Sequence, residues 1–364
     1  MPTRGDARIL FITRRYPPTV GGIQTHCYHL YTRLVKQRAV RLVALRQNAL
    51  IHLAWFMPYA FCVAFFKAIF RRVEVIYFSD GVVCALATLL RPFTRARFVV
   101  TIYGLELTYS NPVFSRLMRW GIARCERVAV ISQNTWKVTE KAGVPAEKLR
   151  LIYLGVETPP LPDERHRELR AQFEADHDVR FGQDRVLLNI GRQVRRKGLA
   201  AFLTYGAPLL DEGIKLFIGG DGPEAPKLRA LREELGLQDR VFLLGWLEDD
   251  TAAMLRREAD LFLMPNIRVP NDVEGYGIAP LECMLDGLPV VAFAVDALVE
   301  SIREGGYLIP EADYPAFVNQ VHRYLALPAS ERAAFKEAAR SYVAGEYSWD
   351  KTAEEYLDVF EERS

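Results

Sequence analysis

Glu274-Gly275-Tyr276-Gly277-Ile278-Ala279-Pro280-Leu281-Glu282-Cys283-Met284-Leu285-Asp286-Gly287-Leu288-Pro289-Val290-Val291 reads as a turn, a short helix and a buried strand in immediate succession. Pro280 suits the first helical turn, where a missing N–H costs nothing. Gly287 suits the position just past the helix end, and Leu288 to Val291 is a short apolar run between turn signals. Gly275 and Gly277 let a ligand approach the backbone closely, and the helix start offers unpaired N–H groups to an anion. Glu274 precedes the turn, and Glu282 is expected within the first helical turn. The two carboxylates bracket a place suited to a sugar-phosphate-nucleoside.

Two other segments have the same strand–glycine–helix form. Arg185 to Ile190 reads as a strand that ends in Gly191-Arg192-Gln193-Val194-Arg195-Arg196-Lys197-Gly198, after which helical spacing resumes at Leu199. Arg presents a planar fork to phosphate oxygens, and Lys a compact point charge. Near the start, Ile9 to Ile12 leads through Tyr16-Pro17-Pro18 to Gly21-Gly22-Ile23-Gln24-Thr25-His26 and a helical pattern through Leu30 and Leu34. His26 reads as a helix residue packed against that loop, since no partner is visible for it in the sequence. Ile218-Gly219-Gly220-Asp221-Gly222-Pro223 and Leu244-Gly245-Trp246-Leu247 are further glycine turns after strands.

Glu274 and Glu282, with seven residues between them, resemble the Glu-x7-Glu element of the retaining glycosyltransferases of family 4, which have the GT-B fold. Gly191-Arg192 with Lys197-Gly198 is similar to that family's diphosphate-binding element, and Gly21-Gly22 with His26 to its Gly-Gly-x3-His opening. The resemblance implies that Arg192 and Lys197 hold the donor diphosphate and that Glu274 binds the donor sugar's hydroxyls. It also implies that Gly275, Tyr276 and Gly277 meet the phosphate side and Glu282 the ribose. Gly21, Gly22, Gly191, Gly220 and Gly245 would line the donor site, the last beside the base. Three positions depart from the pattern. Tyr103-Gly104-Leu105-Glu106 stands where many members carry His-Gly-x-Asp/Glu, and Tyr103 would then line the reaction centre with a phenol that cannot be protonated near neutral pH. Asp296-Ala297-Leu298-Val299-Glu300 stands for a Gly-Gly-x-Pro-Glu stretch, and Leu154 for a common Asn.

The chain of 364 residues suggests two domains. Half of the residues are hydrophobic and a quarter charged, as in an ordinary globular enzyme. A net charge of +2 gives no bulk-charge argument for nucleic acid. The five Cys lie singly, so neither a zinc site nor a disulfide framework is indicated, and a reducing cytoplasm is expected. The first apolar run is too short for the core of a signal peptide.

Strand-like runs at 8–13, 40–45, 73–78, 97–102, 126–131 and 149–153 alternate with helical patterns. A second series follows at 185–190, 214–219, 240–244, 260–264, 289–293 and 306–309. The expected class is therefore α/β: two Rossmann-like parallel-sheet domains facing across an interdomain cleft. Residues 1–155 form the acceptor-side domain, 156–184 a polar linker, and 185–345 the donor-binding domain. By the resemblance, the last helix (346–364) crosses back onto the first domain. Asp176-His177-Asp178 falls in the linker stretch and not at a strand end, so no metal or other cofactor is expected. Residues 50–72 hold a nearly unbroken apolar stretch, Leu53 to Phe66, interrupted by Pro58 and flanked by Arg46, Lys67, Arg71 and Arg72. About fourteen residues are too few to span a bilayer. The stretch reads either as a helix packed on the first sheet or as an interfacial segment on an anionic membrane.

The expected function is retaining, metal-independent transfer of a sugar from a UDP- or GDP-sugar to a hydroxyl of a glycan or lipid-linked glycan. Bacterial polysaccharide or glycolipid synthesis is the expected setting, in the cytoplasm, with possible peripheral membrane contact through 50–72. The look of Asp272 to Ile278 leans to GDP-mannose. The alternative is a catalytically silent nucleotide-sugar-binding subunit of the same fold.

Overall fold

The structure is a computed structural model that describes residues 8–19, 21–47, 49–70, 73–104, 107, 112–270, 272 and 276–362. The chain divides into two compact units, Met1–Gly155 with Tyr347–Ser364, and Val156–Glu346.

The first unit is built on six strands: β1 (Ile9–Thr13), β2 (Val40–Ala44), β3 (Val75–Phe78), β4 (Arg97–Ile102), β5 (Arg127–Val130) and β6 (Leu149–Leu151). All pair in parallel, in the order β2-β1-β3-β4-β5-β6. Parallel strands are covered on both faces and so read as continuous apolar runs, as ILFI, VIYF and FVVTI do. The two-residue period then divides each strand between two cores. Leu10, Ile12, Ile76, Phe78, Phe98 and Val100 pack on one face. Ile9, Phe11, Val75, Tyr77 and Val99 pack on the other.

Helices α1 (Gly22–Gln37), α2 (Leu53–Phe70), α3 (Gly81–Cys84), α4 (Leu86–Leu90), α5 (Pro112–Ala123) and α6 (Gln133–Lys141) fill the crossovers. The core of α2 and α4 lies on the Leu10 face, and that of α1 on the Phe11 face. The last helix, Trp349–Glu361, covers the Phe11 face beside α1. A buried hydroxyl chain fastens it there: Tyr77 Oη lies 2.7 Å from Thr101 Oγ1, which lies 2.6 Å from Tyr356 Oη. Gly155 is a glycine because a Cβ there would come within 2.5 Å of Trp349.

The second unit repeats the plan with β7 (Arg185–Ile190), β8 (Ile214–Gly219), β9 (Val241–Gly245), β10 (Leu261–Met264), β11 (Val290–Phe293) and β12 (Gly306–Ile309). These strands are parallel in the order β12-β11-β10-β7-β8-β9. Its helices are α7 (Asp163–His177), α8 (Leu199–Tyr205), α9 (Ala225–Glu234), α10 (Asp249–Glu258), α11 (Ile278–Leu285), α12 (Leu298–Ile302), α13 (Tyr314–Leu325) and α14 (Ala329–Glu346). The terminal helix of the first unit is thus α15.

Two expectations need correction. The stretch 156–184 is no linker. It belongs to the second unit and carries α7, whose Leu169 and Phe173 are buried. One apolar residue per helical turn suffices to seat an otherwise polar helix, and Phe173 packs on Phe181 and Phe217. The apolar stretch after residue 50 is also longer than fourteen residues. A short 3-10 turn, Leu50–His52, leads into α2, so Leu50–Phe70 is 21 residues long and apolar enough to cross a membrane by length and composition. Pro58 lies inside α2 without ending it, on the exposed side.

Candidate active site

In open parallel sheets, ligands bind beyond the carboxyl ends of the strands, where the chain's direction of winding reverses. In the second unit that reversal occurs at β7, which has β8 on one side and β10 on the other. The two loops at this point are Gly191–Gly198 after β7 and the segment from Pro265 to Gly277 after β10. They carry Gly191, Arg192, Lys197, Tyr276 and Gly277. Glu274 and Gly275 lie outside the described residues.

The β7 loop is locked by backbone contacts. Gly191 N donates to Gly219 O at 3.0 Å, Gln193 N to Asp221 O at 2.9 Å, and Gln193 Nε2 to Gly220 O at 2.8 Å. Gly220 N in turn donates to Gly245 O at 2.6 Å, so the ends of β7, β8 and β9 form one hydrogen-bonded rim. A Cβ on Gly220 would lie 2.0 Å from Gly191 O. Only glycine allows the two turns to approach so closely.

Arg192 is exposed on this rim, while Lys197 is buried, and its Cε passes 3.8 Å from where a Cβ on Gly191 would sit. The following residue, Gly198, adopts φ +67 against Pro265 O, and Ile267 N donates to Arg196 O at 2.9 Å. Arg196 also pairs with Asp272 at 2.9 Å, which ties the two loops together. Arg196 therefore clamps the β7 loop to the β10 loop.

Gly277 has φ +73 and opens α11. Tyr276, beside it, is buried. Glu282 is the fifth residue of α11, just past the first turn in which it was expected. Burial raises its carboxyl above the usual range, Arg256 opposes that shift, and Asp286 and Asp249 add to it. Arg256 and Asp286 form a buried ion pair at 2.6 Å, and Asp286 also accepts from Thr158 Oγ1 at 2.8 Å. Neither Gln193 nor this pair was marked by the sequence. Gln193 could have been noticed as the one amide in a cationic loop, whereas nothing local links Arg256 to Asp286. The position of the expected family glycine at Asp296 keeps a left-handed backbone, φ +47, which Asp tolerates better than most residues.

In the first unit the reversal falls between β1 and β3. Arg14 follows β1, Asp80 follows β3, and they form a buried ion pair at 3.0 Å, while Asp80 also caps α3. Gly21, with φ 152, is the N-cap of α1 and Gly22 its first residue. Tyr103 directly follows β4, and its Oη lies 2.6 Å from His26 Nδ1. His26 thus has a partner 77 residues away, and it stacks on Trp349 at 6.0 Å. Glu106 lies outside the described residues.

Burial, aided by the nearby His29, pushes the His26 pKa down from 6.5 to about 3. The folded state therefore keeps a neutral imidazole, and its stability is complete above pH 6.5 and lost as pH falls toward 3. Between pH 6.5 and 4, the unfolding free energy of the parent should fall more steeply than that of His26→Gln, by up to ~1.4 kcal/mol per pH unit. Equal slopes in urea titrations would remove His26 as the source.

Among the described residues no group of three or more His, Cys, Asp or Glu side chains is placed to hold a metal ion. Asp176 and His177 end α7 and Asp178 is its C-cap, with the His177 ring packed on Phe173, Phe217 and Phe242.

Two parallel six-stranded sheets, each with glycine loops at its carboxyl ends, are the architecture of the GT-B fold. The family described as Glycosyl transferases group 1 matches residues 172–342, and Glycosyltransferase Family 4 matches residues 20–159. The chain belongs to the family-4 type of glycosyltransferases. It is 27% identical to the GDP-mannose-dependent alpha-(1-6)-phosphatidylinositol monomannoside mannosyltransferase of Mycobacterium tuberculosis, over 97% of each chain. It is 25% identical to the N-acetyl-alpha-D-glucosaminyl L-malate synthase of Bacillus anthracis, over 79% of this chain and 74% of the other. Among solved structures, Anabaena HepE in complex with UDP superposes with a TM-score of 0.73 at 18% identity, over 97% of this chain and 99% of that one.

Proposed function

We propose that the protein transfers a sugar, with retention at the anomeric carbon, from a UDP- or GDP-sugar to a hydroxyl of a glycan or lipid-linked glycan. The observation that carries this reading is the β7 rim, where Arg192 and Lys197 flank backbone turns closed by Gly191 and Gly220. Such a rim suits a diphosphate. In the reaction the bond from the anomeric carbon to the phosphate oxygen breaks and one to the acceptor oxygen forms. The acceptor proton leaves with the nucleoside diphosphate. Charge therefore grows on the diphosphate in the transition state, where fixed cations and helix termini stabilise it most.

Glu274 is assigned to the donor sugar's hydroxyls and Glu282 to the ribose, on the family resemblance and on their places before and within α11. Tyr103, held by His26, can present a neutral phenol to the sugar, since burial keeps its pKa well above 10. The name of the mycobacterial relative supports a GDP-mannose donor, while HepE was solved with UDP, so both donors belong in the assay. A site on the inner face of the cytoplasmic membrane fits the lipid-linked acceptor.

Product analysis with a panel of UDP- and GDP-sugars tests the reading. The α-linked donor should yield an α-linked product, and an inverted product would refute retention. Because the cations above can neutralise the leaving group, exhaustive EDTA treatment should leave the rate within about twofold of the untreated enzyme. Loss of activity that returns with magnesium or manganese would refute metal independence.

A further inference from the structure

The modest net charge of the whole chain conceals a strong segregation. Between Asp6 and Glu126 the sequence holds seventeen Lys and Arg but only three carboxylates, Glu74, Asp80 and Glu106, in a chain whose net charge is +2. Asp80 is buried against Arg14. The acidic α15 lies on the Phe11 face, where Asp350 pairs with Arg33 and Glu361 with Arg38. Among the described residues, no ion pair engages Lys67, Arg95, Arg116 or Arg119. These four belong to α2, α5 and the turn after α4, on the opposite face of the sheet.

That same face is uncovered and apolar. α2 adjoins α4 and the Arg91–Phe93 turn, and α4 adjoins α5. α2 presents Trp55, Tyr59, Phe66 and Phe70, each half or more exposed, with Phe70 at 71%. Phe93, whose ring meets Phe65 at 4.9 Å, and Trp120, under the Arg116 guanidinium, extend the surface. Only Phe56, Ala60 and Ala64 of α2 are buried, a single stripe at four-residue spacing. This stripe is part of the sheet's core, so withdrawing α2 to cross a bilayer would open that core. The helix can lie on a membrane and cannot leave the sheet to span one.

We propose that the α2–α4–α5 face docks the first unit flat on an anionic bilayer, with its aromatic residues in the headgroup layer and Lys67, Arg95, Arg116 and Arg119 over lipid phosphates. The proposal rests on the reading of a lipid-linked acceptor for its purpose, and on exposure and charge for its geometry. A second copy of the chain would meet this face with like charge. Nucleic acid would match the charge but gain nothing from exposed Leu50, Ile51, Ile69 and Leu89.

The test is co-sedimentation of the full chain with vesicles of phosphatidylcholine containing about one-third phosphatidylglycerol. The parent should bind these and largely ignore pure phosphatidylcholine. Phe66→Ser with Phe70→Ser, and separately Arg116→Gln with Arg119→Gln, should each weaken binding about tenfold or more while leaving the melting temperature nearly unchanged. Phe56→Ser, from the buried stripe, should melt earlier and serves as the folding control. Absence of parent binding, binding by both double variants as strong as the parent's, or capture by duplex DNA in preference to vesicles would overturn the proposal. Turnover on a soluble acceptor without vesicle binding sinks the docking face alone. Vesicle binding without turnover of any nucleotide sugar sinks the functional reading and leaves the face standing.

Discussion

Arg192→Ala and Lys197→Ala should each lower turnover of the preferred nucleotide sugar at least about tenfold, the loss of roughly 2–4 kcal/mol of transition-state stabilisation. The effect should fall mainly on kcat, because the diphosphate gains charge as the sugar departs and binds the cations more tightly then than before. The two variants should differ in stability. Arg192 is exposed and its truncation should leave the melting temperature unchanged, whereas Lys197 is buried and its stem packs beside Gly191. Lys197→Met, which keeps the stem and removes the charge, separates these contributions: it should restore stability but not rate. Near-parent rates in both alanine variants would mean that the diphosphate is held elsewhere.

Gly198→Ala should destabilise the second unit by about 3 kcal/mol or more, a fall in melting temperature of roughly 6–12 °C. Two costs combine. Gly198 has φ +67, and a Cβ there would lie 1.8 Å from Pro265 O, a backbone atom with little freedom to move. Gly236→Ala is the matched control, since Gly236 has φ +63 with nothing within 4 Å of a built Cβ, and should cost only about 1 kcal/mol. If the two variants melt alike, the close packing of the β7 and β10 loops does not contribute. The contact also joins the loops that frame the candidate donor site, so Gly198→Ala should weaken nucleotide-sugar binding measured by calorimetry below its melting range. Gly236→Ala should leave that affinity unchanged.

Much of the fold and the glycine-framed site was legible along the chain, because the features that carry them are local. Strands covered on both faces must be apolar throughout, and the turns that follow them must accommodate close backbone approach. Those demands place VLLNI before Gly191, LFIG before Gly220 and VFLLG at Gly245, and they act through neighbours in sequence. The resemblance to family 4 rests on the same punctuation.

What lay beyond the sequence depends on contacts between distant residues. α2 is apolar on every side, so no periodicity says which stripe meets the sheet. Only packing decides that Phe56 is buried and its neighbour Trp55 half exposed. The polar segment before β7 became a helix because Leu169 and Phe173 found an aromatic surface that no local pattern announces. His26 met Tyr103, and Arg256 met Asp286, across 77 and 30 residues. Thus the positions of the strands along the chain, the glycine turns and the cations at their ends were determined by the sequence, through hydrophobic burial and backbone sterics acting over a few residues. The pairing of buried polar groups and the choice of exposed face were decided by the tertiary structure, because the energy of a buried charge or an uncovered ring depends on what folding brings beside it.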